Sequence, residues 1–154
     1  MDGVPVGEVV DVVRFDVERG KIRELARATG ARDAVHADPD AAAGAGFTAE
    51  AATPTHVVVA GHHRDQAAFV ARLGLAIERV VVGSTGWAYV RPLVAGDRLT
   101  GTRRVVADER KPRPDGTSLR LVTLETEYVD ADGLPVVRQT DVLVERPAPS
   151  GSPS

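Results

Sequence analysis

The pattern of apolar and polar positions divides the chain into a largely helical first half and a second half with strand periodicity. From Ile22 to Thr29, the less polar residues recur at i, i+3, i+4 and i+7, which is the spacing of one buried helical face. Asp16 is the predicted N-cap of this helix, and Gly30 is its predicted C-terminal stop. A short strand is predicted before it, over residues 9–15.

A second, longer helix is predicted from Pro54 to Leu73. Thr53 is its expected cap, Pro54 takes the first helical position, and Gly74 is its expected end. The first half is apolar nearly all round, which indicates that it is buried on most sides. The second half carries several charged residues, so we expect it to emerge towards solvent.

The segment between these helices, residues 31–54, is rich in Ala, Gly and Asp. Pro39 and Pro54 interrupt it, and a short helix is predicted over residues 39–43. An irregular stretch of this length inside a compact domain is usually functional. We therefore expect it to contribute to a site.

The second half of the chain reads as antiparallel strands joined by turns. Apolar and polar residues alternate over residues 119–129. Gly83 and Gly86 predict a bulge or a close backbone approach, and residues 130–133 (DADG) are a strong turn signal. The predicted strands are 78–82 continuing through 87–90, 98–108, 119–129 and 134–145, with a charged hairpin loop over 110–116.

These elements predict an α+β fold. One apolar helix followed by at least four antiparallel strands fits an antiparallel sheet wrapped around a long central helix. A chain of 154 residues is about the size of one domain. We expect this single domain to span residues 1–146, and the Pro-, Ser- and Gly-rich residues 147–154 to form a disordered C-terminal tail.

Composition narrows the classes of partner. The formal net charge is −3 and aromatic residues make up 4% of the chain, which argues against a nucleic-acid-binding protein. Cysteine is absent, which fits a reducing cytoplasm. The first residues lack a basic region followed by a long apolar run, so no signal peptide is expected. The longest apolar runs are far below the roughly 18 residues that span a bilayer, so no membrane segment is expected.

Two segments resemble a known family. Residues 15–26 (FDVERGKIRELA) look like the opening helix of the MaoC-like hydroxyacyl thioester dehydratases of the N-terminal, FAS1-like type. Residues 89–99 (YVRPLVAGDRL) are similar to the Arg-Pro-Leu-X-X-Gly-Asp-X-Leu stretch before the long strands of that family. Residues 128–133 and 136–139 also match in order and spacing, and the resemblance covers about residues 9 to 146.

The resemblance implies a hotdog fold, a double-hotdog dimer and acyl thioesters of coenzyme A or acyl carrier protein as substrates. It implies no metal and no bound cofactor. The reaction of the family is the reversible loss of water from a (3R)-hydroxyacyl chain. In its catalytic branch an Asp and a His, within a Gly-Asp-X-Asn-Pro-X-His segment, handle the protons, and each must reach the substrate.

This chain departs from that segment. Its aligned residues, 30–36 (GARDAVH), keep the histidine as His36 but place Ala31 where the catalytic Asp stands and Asp33 where the Asn stands. An alanine cannot transfer a proton. The same gap occurs in the partner subunits of heterodimeric 3-hydroxyacyl-carrier-protein dehydratases, and this chain resembles those subunits, which hold the acyl chain.

The candidate site residues come from this aligned segment, from the start of the predicted buried helix and from the predicted strand that carries Trp87. His36 and Asp33 are weak catalytic candidates, and His36, Thr55, His56 and Trp87 are candidate substrate contacts. Each also has a structural interpretation: a hydrogen-bonded or vestigial His36, a capping Asp33, a satisfied core His56 and a packing Trp87. A metal site is not expected, because the four histidines lack an i, i+4 pair and have no Cys partners.

Three hypotheses remain open for the function. The first is a subunit of a hydro-lyase, holding the acyl chain beside a catalytic MaoC-like hotdog subunit in fatty-acid or polyketide metabolism. The second is a self-sufficient homodimeric enoyl-thioester hydratase that uses His36 with Asp33. The third is a non-catalytic protein that binds acyl thioesters. A hotdog thioesterase ranks below them, because fold alone does not fix the reaction.

Overall fold

Five antiparallel strands form one sheet in the computed structural model, which describes residues 3–151. The strands are β1 (Val9–Asp16), β2 (Val80–Tyr89), β3 (Arg98–Pro112), β4 (Ser118–Val129) and β5 (Pro135–Glu145). Their order across the sheet is β1-β3-β4-β5-β2, so β1 and β2 are the edges. The predicted α+β class and the antiparallel sheet are confirmed.

The remaining elements are short helices. The α-helices are α1 (Arg19–Thr29), α2 (Pro39–Gly44) and α3 (Gln66–Arg72), and the 3₁₀ helices are Ala34–His36, His56–His63 and Ile77–Arg79. The short helix predicted over residues 39–43 is therefore confirmed as α2. Its cap is Asp38, whose carboxylate accepts a hydrogen bond from the Asp40 amide at 2.9 Å.

The first helix begins later than predicted. Asp16 is still paired with Arg98 in the β1–β3 ladder, so it cannot cap the helix. Glu18 takes the N-cap position, without a side-chain capping bond. The predicted end is confirmed, because Gly30 follows the helix in the left-handed conformation with a φ of 73°.

The predicted long central helix is wrong as one continuous element. Residues 56–72, here called the central segment, consist of the 3₁₀ helix His56–His63 and then α3. Three consecutive β-branched residues, Val57 to Val59, disfavour an α-helix at this point. Arg64 is extended (φ −120°, ψ 144°), and Asp65 starts a new helix by accepting a hydrogen bond from the Ala68 amide at 2.9 Å.

The ends of the central segment also differ in part from the prediction. Thr53 does not cap it, because Thr55 holds the N-cap position of the 3₁₀ helix. The Thr53 hydroxyl instead lies 3.4 Å from that of Thr55. The end is as predicted, since Leu73 caps α3 and Gly74 follows with a φ of 68°.

The strands agree with the predicted pattern except at two ends. β2 begins at Val80 rather than at residue 78, because Glu78 and Arg79 belong to the 3₁₀ helix Ile77–Arg79, and β3 is longer than predicted. β3 continues through Arg110 and Lys111 to Pro112, because these residues still pair with β4. The hairpin loop is therefore shorter than the predicted residues 110–116. At the next turn, the Asp130 carboxylate accepts hydrogen bonds from the amides of Asp132 and Leu134, each at 3.0 Å.

Gly83 lies where β2 pairs closely with β5, at a position with no room for a side chain. The β2–β5 register shifts between Val82 and Ser84, which is the predicted bulge. A Cβ atom at Gly83 would lie 2.8 Å from the Val144 side chain. Both interpretations of Gly83 are thus confirmed, whereas a Cβ at Gly86 would meet nothing within 4 Å.

The core lies between the sheet and the helical first half. One cluster of buried residues joins β1, the start of α1, the central segment and the strand ends near Tyr128, and a second cluster surrounds α3. Tyr128 packs edge-on to Phe15 at 5.9 Å between ring centroids. Gly101 makes room for it, because a Cβ there would lie 2.5 Å from the Tyr128 ring.

The ends of the chain add little to the fold. Residues 147–151 form no helix or strand, and residues 1–2 and 152–154 lie outside the described residues. The disordered tail and the boundary at residue 146 stay predictions. Within residues 3–151, no helix has the length and apolar character needed to span a bilayer.

Candidate functional site

The segment that departs from the family motif forms an exposed loop, here called the motif loop (residues 30–38). Ala31, Asp33 and His36 line one shallow groove with Arg23 and Arg27 of α1. Arg23 holds the loop against the helix by donating a hydrogen bond to the Ala37 carbonyl at 2.8 Å. The groove therefore gathers the aligned positions on one surface, with a methyl group where the family carries a carboxylate.

His36 is oriented by the segment that leads into the central segment, here called the bridge segment (residues 50–56). Its Nδ1 lies 2.6 Å from the Ala51 carbonyl oxygen. Since a carbonyl only accepts, Nδ1 must carry the proton, which leaves Nε2 of a neutral His36 as the basic nitrogen. The expected hydrogen-bonded histidine is thus present, with Nδ1 as the donor to the bridge segment.

Asp33 caps the backbone of the motif loop. It is the N-cap of the 3₁₀ helix Ala34–His36, and its carboxylate accepts a hydrogen bond from the Val35 amide at 3.1 Å. The His36 amide donates to the Asp33 carbonyl at 3.2 Å. These contacts match the structural interpretation of Asp33 and do not pair its carboxylate with the His36 ring.

The bridge segment connects the motif loop to the stretch before β3. The Ala51 amide donates to the Val35 carbonyl, and the Ala52 amide donates to the Leu93 carbonyl, both at 2.9 Å. The stretch is itself closed by Arg91, whose guanidinium donates to both oxygens of Asp97 at 2.9 and 3.1 Å. The Arg and Asp of the family-like segment thus have a structural role, because their ion pair closes the turn before β3.

Glu50 is a buried carboxylate that sequence reasoning missed. Its side chain is 1% exposed and its Oε1 lies 2.9 Å from Nε of Arg19. The geometry is that of an ion pair rather than a hydrogen bond, and no described residue hydrogen-bonds to either carboxylate oxygen. A buried carboxylate with so few partners is costly, so it marks this end of the bridge segment as unusual.

His56 and Thr55 stand at the start of the central segment. Thr55 is exposed, whereas His56 is fully buried. The expectation of a satisfied core histidine is corrected, because neither ring nitrogen of His56 has a partner among the described residues. Burial lowers the pKa of His56, so the ring stays neutral.

Trp87 and Tyr89 lie on one face of β2 and pack against the core cluster near Phe15 and Val57. The Tyr89 hydroxyl donates to the Pro54 carbonyl. Burial, with a smaller contribution from Tyr128, raises the pKa of Tyr89 to about 12. The indole Nε1 of Trp87 is buried and has no partner among residues 3–151. Trp87 therefore packs as expected, but its indole N–H has no hydrogen-bond acceptor among the described residues.

Sequence reasoning also missed that a row of residues crosses the core-facing side of the sheet. The β-ladder pairs Asp11 with Arg103, Arg103 with Thr126, Thr126 with Gln139, and Gln139 with Trp87. Directly paired residues point to the same face, so one row crosses all five strands. These five residues are here called the polar row. The sequence carried a signal for this row, because Arg103 shares the inward phase of β3 with the buried Leu99, Gly101 and Val105.

Arg64 of the central segment completes a charged cluster at one end of this row. The Asp11 carboxylate accepts from Arg64 at 2.6 Å and from Arg103 at 3.0 and 2.5 Å. Burial alone would raise the pKa of Asp11, but the hydrogen bonds and charges of Arg103 and Arg64 hold it below its usual value. Arg103 also lies 3.6 Å from the Phe69 ring centroid.

A cavity of about 210 Å³ separates the central segment from the sheet at this row. No group of three or more His, Asp or Glu side chains within residues 3–151 is placed to hold a metal ion. The structure thus contains two distinct regions: an exposed motif loop that carries His36, and a partly open polar cavity beneath the central segment.

Comparison with known proteins places the chain in a family. The sequence profile described as "FAS1-like, dehydratase domain region" matches residues 5–139. The chain belongs to this family. A relative called "UPF0336 protein" from Clavibacter michiganensis is 40% identical over 136 residues, which cover 84% of this chain and 85% of the relative.

Two solved structures show the same fold. A "MaoC-like dehydratase" is 25% identical with a TM-score of 0.78, and the match covers 93% of this chain and 42% of that one. A chain of the HadBC (3R-hydroxyacyl-ACP dehydratase) complex from Mycobacterium tuberculosis is 22% identical with a TM-score of 0.73, covering 87% of this chain and 94% of that one. The hotdog fold expected from the family resemblance is confirmed.

Proposed function

We propose that this chain is the acyl-chain-holding subunit of a (3R)-hydroxyacyl thioester dehydratase and works beside a catalytic MaoC-like hotdog subunit. Its substrates would be acyl thioesters of acyl carrier protein or coenzyme A, in cytoplasmic fatty-acid or polyketide metabolism. The observation that carries the proposal is the motif loop, where Ala31 replaces the acid and Asp33 is engaged as a backbone cap.

The geometry of His36 agrees with a partial site. His36 lines the groove, and no hydrogen bond or ion pair joins its ring to a carboxylate within residues 3–151. General acid–base catalysis needs both groups within hydrogen-bond reach of the substrate. A single histidine would then contact the substrate without completing the reaction.

The exposed edge of the sheet favours a partner. β2 is an edge strand, and its Val81 and Val82 are 44% and 64% exposed. An exposed, apolar edge strand is a template for pairing with a second sheet. The similarity to a chain of the HadBC complex, which is a heteromeric assembly by its name, supports a second hotdog subunit as that partner.

The direct test is an enoyl-thioester hydration assay on crotonyl-pantetheine. The purified chain alone should give at most a trace of activity. Addition of a MaoC-like subunit with an intact Gly-Asp-X-Asn-Pro-X-His segment should raise the activity above that of either subunit alone. Full activity of the chain alone would contradict the proposal.

The other two functions are separate outcomes of the same assay. If the chain alone is active and Asp33→Asn abolishes that activity, the homodimeric hydratase that uses His36 with Asp33 is the better account. If no partner adds activity but acyl-pantetheines bind, the chain is a non-catalytic binding protein. Calorimetric titration with octanoyl-pantetheine distinguishes that case.

A further inference from the structure

The cavity beneath the central segment has an unusual wall for a site that would hold a hydrocarbon chain. Its floor on the sheet carries Arg103, Thr126, Gln139 and Asp141, and Arg64 reaches it from the central segment. The remaining lining is mainly apolar. A purely aliphatic group would therefore face a concentration of polar atoms.

These polar side chains form one connected chain of contacts. Arg64 lies 3.4 Å from the Tyr128 hydroxyl, which lies 3.4 Å from Oε1 of Gln139. The Gln139 amide then donates to both oxygens of Asp141 at 3.0 Å. Both contacts of the Tyr128 hydroxyl are long, so this hydroxyl is weakly engaged and free to take a better partner.

The two arginines are held inside the protein. The side chains of Arg64 and Arg103 are only 6% and 8% exposed. Charged groups at such depth persist only when they are paired and hydrogen-bonded. Asp11 supplies one negative charge between them, and Asp141 supplies a second negative charge on the same cavity wall.

This balance of charge indicates the kind of group that fits. Two guanidiniums and two carboxylates give the wall no net charge, so an added carboxylate would find no unpaired cation to compensate it. An uncharged oxygen can accept from Arg64 or Tyr128, and a hydroxyl can also donate to Gln139 or Asp141. A saturated hydrocarbon would remove water from these groups and replace none of its hydrogen bonds.

We propose that this cavity receives an uncharged oxygen function, a hydroxyl or a keto group, on the distal part of a short acyl chain. The inference rests on the proposed function, because it assigns a substrate class to the same acyl site. The volume of 210 Å³ corresponds to about seven water molecules at roughly 30 Å³ each. A longer acyl chain would have to extend out through the open mouth.

The mouth of the cavity is consistent with entry of a chain from the partner side. Val58 and Val82 line it and are 47% and 64% exposed. Val82 belongs to the edge strand β2. A subunit paired with this edge would lie beside the mouth, so a thioester positioned between the subunits could extend its acyl chain into the cavity.

The test compares saturated acyl-pantetheines that cannot be dehydrated or hydrated. The probes are octanoyl-pantetheine and four analogues with one hydroxyl at C5, C6, C7 or C8, titrated calorimetrically into the purified chain. We expect at least one hydroxylated probe to bind at least about tenfold more tightly than the octanoyl probe, since a site built for a hydroxyl rejects analogues that lack it.

The two tyrosines of the chain give a matched pair of variants. Tyr128→Phe removes a hydroxyl that lines the cavity and keeps the ring against Phe15. Tyr89→Phe removes a hydroxyl bonded to Pro54, outside the cavity lining. Tyr128→Phe should reduce the preference for the hydroxylated probe to within about threefold, and Tyr89→Phe should preserve it.

The outcomes separate the two proposals. Equal binding of octanoyl and all hydroxylated probes overturns this inference and leaves the proposed function standing. A hydroxyl preference that survives Tyr128→Phe also overturns it, because the group would then lie elsewhere. Failure of every acyl-pantetheine to bind overturns the proposed function and this inference together.

Discussion

The motif loop and the polar row differ in where they keep their reactive groups. The motif loop is exposed, has Ala31 in place of the family carboxylate, and uses Asp33 to cap its own backbone. The polar row faces the core beneath the central segment, where Arg103 and Thr126 are buried and Asp11 is partly exposed. The motif loop therefore has no carboxylate paired with the His36 ring, whereas the interior holds two buried arginines against Asp11, which is a costly arrangement.

The largest expected effect comes from the charged end of the polar row. Asp11→Asn leaves Arg64 and Arg103 buried without their shared carboxylate. We expect a loss of about 3 kcal/mol in the free energy of unfolding, measured by urea denaturation, because breaking a buried pair leaves uncompensated charge.

The control is an ion pair on the surface of the same sheet. Glu127 lies 3.6 Å from Arg138, and both side chains are about half exposed. Glu127→Gln should change the unfolding free energy by less than about 1 kcal/mol. Equal effects of the two substitutions would show that Asp11 stabilises the fold no more than a surface ion pair does.

A second prediction concerns the glycine that admits Tyr128. Gly101→Ala should destabilise the protein by about 1–3 kcal/mol, because its Cβ would lie 2.5 Å from the Tyr128 ring in a packed core. Gly86→Ala, in an open position of the same sheet, should stay within about 0.5 kcal/mol. Thermal denaturation of the pair measures the difference, and a neutral Gly101→Ala would contradict the described packing of Tyr128.

A third prediction concerns pH. Burial lowers the pKa of His56 in the folded protein, so the unfolded chain binds a proton more readily. The contribution of His56 to stability is therefore present above the unfolded pKa of about 6.5 and is lost as the pH falls below it, with a slope of at most about 1.4 kcal/mol per pH unit.

The variant His56→Leu should remove this part of the pH dependence. It should cost little at neutral pH, because neither ring nitrogen has a partner to lose. His62→Gln, an exposed neighbour in the same 3₁₀ helix, should keep the wild-type slope. Urea midpoints on both sides of pH 6.5, the approximate unfolded value, give the comparison. If the unfolding free energy of His56→Leu depended on pH as steeply as that of the wild type, the assignment of this pH dependence to His56 would be refuted.

The smallest expected change in stability is in the motif loop. Ala31→Asp restores a carboxylate to a partly exposed position and should alter the unfolding free energy by less than about 0.5 kcal/mol. It should nevertheless raise the trace hydration activity of the chain alone by at least about tenfold, since acid–base groups contribute factors of 10² or more. Arg32→Asp, which adds a carboxylate to the same groove at the next position, should not.

The strands and the family could be predicted from the sequence because both depend on local pattern. The alternation in residues 119–129 is the direct imprint of a half-buried strand, which the structure places at Ser118–Val129. The central helix was predicted wrongly, because the apolar run from Val57 to Val59 indicated a buried helix although its three β-branched residues disfavour one.

The polar row could not be predicted without knowing how the strands pair in the sheet. Asp11 and Arg103 lie 92 positions apart in the chain and meet only because β1 pairs with β3. The clue within each strand was a polar residue in the inward phase, such as Thr126 between Leu124 and Tyr128. His56 shows the converse, because its burial was predictable from the apolar run but its lack of partners was not.

The most direct test of whether this chain holds the acyl group without performing the chemistry is the effect of replacing His36 on the kinetics of the assembled enzyme. The His36→Gln variant of this chain is combined with a catalytic MaoC-like subunit, and kcat and KM are measured for enoyl-thioester hydration. We predict a kcat within about threefold of the wild-type pair, with any change confined to KM, because uniform binding affects KM alone. A fall in kcat of about 100-fold or more, the loss typical of a removed acid–base residue, would contradict the account.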